Sequence, residues 1–352
     1  MSNEAARDGA IDTGFGQQAK QPKVAVLLTP ARRAEVLTAE AQRQLASLAT
    51  VVIPEGPTLS AGELPTLLDG AVACLTGWGT PSLSEALLAG CPTLRLVAHT
   101  AGSVRNLVPL PAIERGLKVS HAAAMIADSV AEYVVSQALL CCRHLHEIDQ
   151  AMKTGQDWSD VRRAYPGRLL GSKIVGVVGT GRVGRAVIRL LKVFGCRLLA
   201  YDPYLTAEQA EQLGVEMTGL DDLMARSDLV TLHAPVLPET KGMIGATQLA
   251  KLRDQAILIN AARASLVDEE ALYHELVSGR IFAVLDVFTQ EPLPLDSRFR
   301  ALPNVLLSPH AAGHTIDTHL RQGQAMVDEV RRFLAGEALH YEITPAMYSI
   351  MA

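Results

Sequence analysis

Three side chains far apart in this chain of 352 residues carry complementary chemistry: Arg263, Glu291 and His310. A guanidinium holds a carboxylate or keto oxygen by two-point hydrogen bonding. An imidazole held by a carboxylate gives and takes a proton near neutral pH. Each of the three follows an apolar run that reads as a buried strand. Residues 256–259 precede Asn260-Ala261-Ala262-Arg263, residues 281–285 precede the segment from Asp286 to Glu291, and residues 305–307 precede Ser308-Pro309-His310. Ligands of an open parallel sheet bind in the crevice beyond the carboxyl ends of its strands. Three strands ending in a guanidinium, a carboxylate and an imidazole therefore make one candidate site for polarising a carbonyl and moving a proton.

The elements that must position these groups belong to a longer alternation. Strand-like runs at 23–29, 51–53, 71–75, 94–98 and 117–120 are interspersed with helical patterns at 32–48 and 82–89. Pro109 and Pro111 exclude one continuous helix over 104–115. The apolar period of Val130, Val134, Val135, Ala138, Leu139 and Cys142 predicts one long helix over 128–146. Residues 147–171 read as an irregular connection. A second alternating series runs from 173 to 310, and 318–334 is helical again. Alternation of this kind predicts an α/β fold with parallel sheets and right-handed crossovers.

A second constellation lies inside that series. Residues 174–178 read as a buried strand, Gly179-Thr180-Gly181-Arg182-Val183-Gly184 follows, and 185–194 is helical in pattern. This is G-x-G-x-x-G in the strand–turn–helix context it requires. Glycines there close the turn and let the backbone approach a pyrophosphate at a helix N-terminus. The next strand, 197–201, ends at Asp202, 18 residues after Gly184. A carboxylate there accepts ribose hydroxyls and faces a 2′-phosphate with like charge, so the expected cofactor is NAD rather than NADP.

Bulk composition narrows the classes. Hydrophobic residues make up 49% and charged residues 20%, and mean hydropathy is +0.18, as in a well-packed globular protein of two domains. Net charge is −5, which argues against nucleic acid or an anionic membrane as partner. No apolar stretch is expected to span a membrane; even 186–200 is interrupted by Arg189, Lys192 and Arg197. The five cysteines are scattered in apolar contexts, so reduced thiols and a cytoplasmic location are expected, with no metal site. Residues 1–22 read as a flexible N-terminal extension without a secretion signal.

Taken together, these segments resemble the D-isomer-specific 2-hydroxyacid dehydrogenase family from about residue 23 to about 334. The phrases that carry the likeness are Gly179–Gly184, Leu232-His233-Ala234-Pro235, Ile259-Asn260-Ala261-Ala262-Arg263, Asp286-Val287-Phe288 with Glu291-Pro292, and Ser308-Pro309-His310-Ala311-Ala312-Gly313. The resemblance implies a Rossmann NAD-binding domain, 123–315, inserted in a flavodoxin-like substrate domain, 23–122 completed by 316–352. It implies that Arg263 binds the substrate carboxylate and keto oxygen, that His310 is the acid/base, and that Glu291 holds His310. Asp286 would meet the nicotinamide carboxamide. Gly179, Gly181, Arg182, Val183, Gly184, Asp202, His233, Ala261 and Gly313 would line the cofactor. Gly102 and Ser103 would present backbone N–H groups to the substrate carboxylate. The implied reaction is hydride exchange between a D-2-hydroxyacid and its 2-keto acid. The implied partners are that small acid and a second copy of the chain, joined through the helix after Asp128.

Some positions depart from the family pattern. Arg105 stands where Asp is common and is expected to add positive charge near the cleft. Ala264 replaces a usual Gly, and His121 a frequent Asn. Trp78, between Gly77 and Gly79, either lines the substrate pocket or packs in its turn. The extra C-terminal regulatory domain of some phosphoglycerate dehydrogenases is not expected. Glu291 rather than Gln argues against formate as substrate. Phosphite-type oxidation on the same fold, and a non-catalytic NAD(H)-sensing corepressor, stand as alternatives.

Overall fold

The apolar runs pair into two parallel sheets. The computed structural model describes residues 21–351, so residues 1–20 of the expected extension lie outside the described residues. Strands β1 (Lys23–Val26), β2 (Thr50–Val52), β3 (Ala71–Thr76), β4 (Leu96–His99) and β5 (Lys118–His121) form the first sheet, in the order β2-β1-β3-β4-β5. Strands β6 (Ile174–Val178), β7 (Arg197–Tyr201), β8 (Glu216–Met217), β9 (Leu229–Leu232), β10 (Ile257–Asn260), β11 (Phe282–Leu285) and β12 (Val305–Leu307) form the second, in the order β12-β11-β10-β9-β6-β7-β8. Every strand pairing within them is parallel. The second order reverses direction between β6 and β9, which opens a crevice at their carboxyl ends.

Helices cover both faces of each sheet, which is why central strands such as β9 and β10 are buried along their whole length. On one face of the second sheet, helices Ala123–Cys142 and Arg182–Val193 pack Val130, Val134, Val187 and Leu191 against Val175 and Val177. On the other, Leu223, Leu249, Leu272 and Leu276 meet Val230 and Leu258. In the first sheet, Leu64, Leu68 and Ile113 share a cluster with Ala25 and Cys74. Val36, Leu45, Met326, Val327 and Val330 cover the opposite face. The long helix Ile316–Leu334 thus returns the chain to the first sheet.

Several expectations need correction. The helix predicted over 128–146 begins earlier, at Ala123, and ends at Cys142. His144 then takes a left-handed φ of 52° and caps a separate helix, Leu145–Lys153. The connection 147–171 is mostly helical, with Trp158–Ala164 capped by Asp157, whose carboxylate accepts from the Ser159 and Asp160 N–H groups. The helical stretch 32–48 is two helices, Pro30–Val36 and Ala39–Leu48, because the Thr38 hydroxyl accepts from Ala41 N–H and starts a new one. Helix Ala123–Cys142 is long and apolar enough to cross a membrane by length and composition, contrary to the expectation that no stretch reaches that span. Its buried residues belong to the core of the second sheet.

One contact sets how closely helix Ile316–Leu334 can lie on helix Pro30–Val36. A Cβ on Gly323 would stand 1.7 Å from the Val36 carbonyl oxygen. That neighbour is backbone, so it cannot swing aside. Gly323→Ala is expected to cost about 3 kcal/mol or more of stability, as overpacking does. Thermal unfolding of the purified variant measures it, and an unchanged midpoint would show that the two helices separate freely.

Candidate active site

Arg263, Glu291 and His310 converge at the carboxyl ends of β10, β11 and β12. The turn after β10 is cinched by Asn260: its Oδ1 accepts from Ala262 N–H at 3.1 Å and its Nδ2 donates to the Arg263 carbonyl at 3.0 Å. The Arg263 guanidinium donates to the Ala262 carbonyl at 2.7 Å. Burial lowers its pKa, opposed by the charge of Glu291, and a guanidinium stays charged regardless. Glu291 Oε1 accepts from Phe288 N–H at 2.9 Å and Oε2 lies 2.8 Å from His310 Nδ1. Partial burial pushes the Glu291 carboxyl up. Its hydrogen bonds from His310 and Phe288, with the charges of His310 and Arg263, outweigh that and hold it below the ordinary carboxylate value. Nδ1 of His310 is thus spoken for by a carboxylate, and about a third of its side chain is open to solvent at 34%.

His310 itself has a left-handed φ of 53°, a conformation a non-glycine residue holds only when its surroundings impose it. Asp286 imposes it. This carboxylate is fully buried. Its Oδ1 accepts from the Ser308 hydroxyl at 2.5 Å and Ala311 N–H at 2.7 Å, and Oδ2 from Ala312 N–H at 2.9 Å. The Asp286 carbonyl accepts from His310 N–H at 2.9 Å. The expected nicotinamide partner is thus first a clamp on the His310 loop, with one bond on Oδ2. Tyr133 extends the chain: its hydroxyl lies 2.5 Å from Ser308 Oγ. Ser308 gives its one proton to Asp286, so Tyr133 is the donor, and burial keeps it a phenol by raising its pKa to about 12. Neither Ser308 nor Tyr133 was singled out in the sequence; Ser308 adjoins the Pro309-His310 motif, while Tyr133 carries no local signal.

The dinucleotide turn occupies the crevice between β6 and β9. A Cβ on Gly184 would lie 2.1 Å from the Gly179 carbonyl oxygen, and one on Gly179 would lie 2.6 Å from Ala234 N. Only glycine allows that closure. Gly181, by contrast, has nothing within 4 Å of its Cβ position, and helix Arg182–Val193 starts there without a side-chain cap. Unfilled space beside uncapped N–H groups fits a pyrophosphate. Arg182 is exposed and Val183 half-buried against the helix-side core. Asp202 ends β7, where Oδ2 accepts from the N–H and hydroxyl of Thr180, both at 2.7 Å, and Oδ1 from Tyr204 N–H at 2.9 Å. His233 Nε2 lies 2.9 Å from Thr231 Oγ1, and burial pushes its pKa down to about 3, so it is a neutral imidazole. Ala261 packs on the helix-side core, and Gly313 lies so close to Ile126 that a Cβ would come within 2.7 Å of its Cγ2.

Across the cleft, the ends of β3, β4 and β5 supply the other wall. Trp78 is 61% exposed and meets the His310 ring edge-on, centroids 6.2 Å apart, so it lines the cleft and is not a packed turn residue. Gly102 and Ser103 lie in the loop after β4, and the Gly102 carbonyl lies 2.6 Å from His121 Nδ1. Arg105 lies in the same loop, and its guanidinium donates to the Tyr348 carbonyl at 3.4 Å, on the side of the C-terminal helix Pro345–Ile350. His99 is buried with Nδ1 3.0 Å from Thr76 Oγ1. Burial, and then the charges of His121 and Arg32, push its pKa down to about 4.

Comparison with known proteins identifies the family of this fold. A family profile described as the NAD-binding domain of D-isomer specific 2-hydroxyacid dehydrogenases matches residues 135–312. The chain belongs to that family. It is 35% identical to a glyoxylate reductase of Korarchaeum cryptofilum over 263 residues, 73% of this chain and 78% of that protein. It is also 35% identical to a D-3-phosphoglycerate dehydrogenase of Methanocaldococcus jannaschii over 246 residues, 69% of this chain but 46% of the relative. The chain thus spans about half the length of the phosphoglycerate dehydrogenases it matches. A crystal structure of a 2-hydroxyacid dehydrogenase from Ketogulonicigenium vulgare superposes with a TM-score of 0.75 at 29% identity, covering 92% of this chain and 99% of that one. The family thus supplies the NAD-binding fold on which the trio is mounted.

Two outcomes follow from the clamp and the buried imidazole. Asp286→Asn keeps the shape but cannot accept every bond, so it is expected to lose about 2 kcal/mol of stability; denaturant titration measures this, and a wild-type midpoint would remove the clamp. His99 binds its proton near pH 4 when folded and near 6.5 when unfolded. The unfolded chain therefore holds more protons in that window. The contribution, about 3 kcal/mol, is complete above 6.5 and lost as pH falls toward 4. Melting curves from pH 7 to 4 check this: His99→Gln is expected to flatten the decline, and an equal slope in variant and wild type would refute it.

Proposed function

We propose that this chain is an NAD-dependent dehydrogenase that interconverts a D-2-hydroxy acid and its 2-keto acid. The observation that carries the reading is the 2.8 Å pairing of His310 Nδ1 with Glu291, set beside Arg263 at three neighbouring strand ends. When bound, NADH supplies the hydride that reaches the keto carbon. Arg263 holds the substrate carboxylate and keto oxygen and draws charge toward that oxygen. His310 donates Nδ1–H to Glu291, which leaves the Nε2 proton for the keto oxygen in reduction; the same nitrogen takes the hydroxyl proton in oxidation. The backbone N–H groups of Gly102 and Ser103 bind the substrate carboxylate from the opposite wall, and Trp78 meets the substrate side chain.

Asp202 favours NAD over NADP, because a 2′-phosphate would meet a carboxylate. Gly181 and Arg182 would hold the pyrophosphate, His233, Ala261 and Gly313 would line the nicotinamide half, and Asp286 would offer its remaining acceptor capacity to the carboxamide. The two sheets act as two domains, 23–122 with 316–352 and 123–315, whose approach excludes water from the cleft. A homodimer through helix Ala123–Cys142 and the segment after it is supported by exposed Leu145, Trp158 and Leu169.

The test is purified protein with NADH and a panel of 2-keto acids, followed by absorbance. Turnover of at least one acid is expected, and silence across the panel with cofactor bound would overturn the reading. His310→Ala is expected to lose about 10³-fold or more in kcat while its NADH affinity stays at the wild-type value; a fully active variant would remove His310 from the proton path.

A further inference from the structure

The segment after the last long helix does more than end the fold. Residues 340–343 lie along β5 as an antiparallel edge. Ile343 N–H donates to the Val119 carbonyl at 2.7 Å, His121 N–H donates to the Tyr341 carbonyl at 3.3 Å, and Ser120 bridges Glu342. Glu329, buried in helix Ile316–Leu334, pins the start of that edge. It accepts from the His340 and Tyr341 N–H groups at 2.9 and 3.1 Å and from the Ser120 hydroxyl at 2.6 Å. Helix Pro345–Ile350 then docks on the loop after β4. The Tyr348 hydroxyl reaches two carbonyls there, Val108 at 2.9 Å and Arg105 at 3.1 Å, and its ring packs on the core of the first sheet. Arg105 answers through its guanidinium to the Tyr348 carbonyl.

These contacts converge on one object. The loop that carries Gly102 and Ser103 is held at its start by the ring of His121, whose Nδ1 is 2.6 Å from the Gly102 carbonyl. It is held at its end by the Tyr348 hydroxyl. The C-terminal segment supports both: it bonds the backbone of His121 and supplies Tyr348. In a trans peptide the N–H points away from the carbonyl, so a Gly102 carbonyl held by His121 turns the Ser103 N–H the other way, and Tyr348 fixes the far end of the same loop.

We propose that residues 340–348 are a strap that sets the substrate loop, with Tyr348 as its positioning residue. The inference rests on the assignment of Gly102 and Ser103 to the substrate carboxylate. Tyr348 touches neither substrate nor cofactor; it acts through the backbone of residues 105–108.

Tyr348→Phe keeps the ring and removes the single proton that the hydroxyl shares between the Val108 and Arg105 carbonyls. The KM for the keto acid is expected to rise about tenfold, the value of one lost hydrogen bond, with kcat and NADH affinity unchanged and the melting temperature lowered by no more than about 2–4 °C. Amide hydrogen exchange in the peptide spanning 101–108 is expected to quicken, with the peptides around Gly179 and His310 unaffected. Exchange at the wild-type rate in 101–108 overturns the strap. So does an equal fall in kcat and kcat/KM accompanied by a larger drop in melting temperature, which would mark a merely structural residue. Should wild type reduce no keto acid, faster exchange in 101–108 alone upholds the strap and refutes the substrate assignment instead. Tyr348→Ala, which also removes the ring, is expected to show larger changes in the same peptide, and smaller ones would count against the strap.

Discussion

The architecture of the candidate site depends on one buried carboxylate. Asp286 leaves β11 inside an apolar sheet, where an ionised group without donors would cost several kcal/mol. It is stable there because the chain brings three donors to it, from Ser308, Ala311 and Ala312. The same bonds fix the loop that carries His310 and hold that residue left-handed. Tyr133 ties the arrangement to helix Ala123–Cys142, and Ser129 adds a second tie through the Ala312 carbonyl at 2.9 Å. The imidazole is thereby aimed by groups that take no part in proton transfer, as a site built on rigid supports requires.

Around that anchor the charges are arranged to cooperate. Arg263 and His310 both act on Glu291 and keep it ionised against its own partial burial. The three groups differ in what they can exchange: the guanidinium keeps its protons, the carboxylate keeps its charge, and the imidazole alone has a ring nitrogen that can both give and take a proton. The opposite wall contributes shape and backbone donors rather than acid–base groups; its two buried or half-buried histidines, His99 and His121, are both held neutral by desolvation.

Much of this was legible in the sequence, for reasons that can be named. Strand ends are local events: an apolar run followed by a polar residue marks where a side chain meets the crevice, and Arg263, Glu291 and His310 were readable that way. The dinucleotide turn was readable because glycines are needed wherever backbone approaches backbone, as Gly179 and Gly184 do. What was not readable depends on partners distant in sequence. Nothing near Asp286 says that residues 22 to 26 positions later will claim its oxygens. The break at His144 has no glycine or proline to announce it, so the expected helix ran on to 146 and the rest of helix Leu145–Lys153 read as irregular connection. The C-terminal helix did have a signal, Thr344-Pro345, a capping residue followed by proline at the first helical turn. Its short length let it pass as a tail.

Among the described residues the four larger apolar clusters divide two and two between the sheets, and the strands that carry the trio, β10, β11 and β12, contribute only to the pair behind the second sheet. A descendant of this chain can therefore rework much of the first sheet's side of the cleft and leave the acid–base wall with the same packing beneath it, the exception being Trp78, whose ring meets that of His310 at 6.2 Å. Effects at well-separated, independent sites add, so selection can explore new substrates one substitution at a time without first repairing the chemistry. Novelty on one side of the cleft and constancy on the other is the evolutionary form of a division that begins as two separate cores.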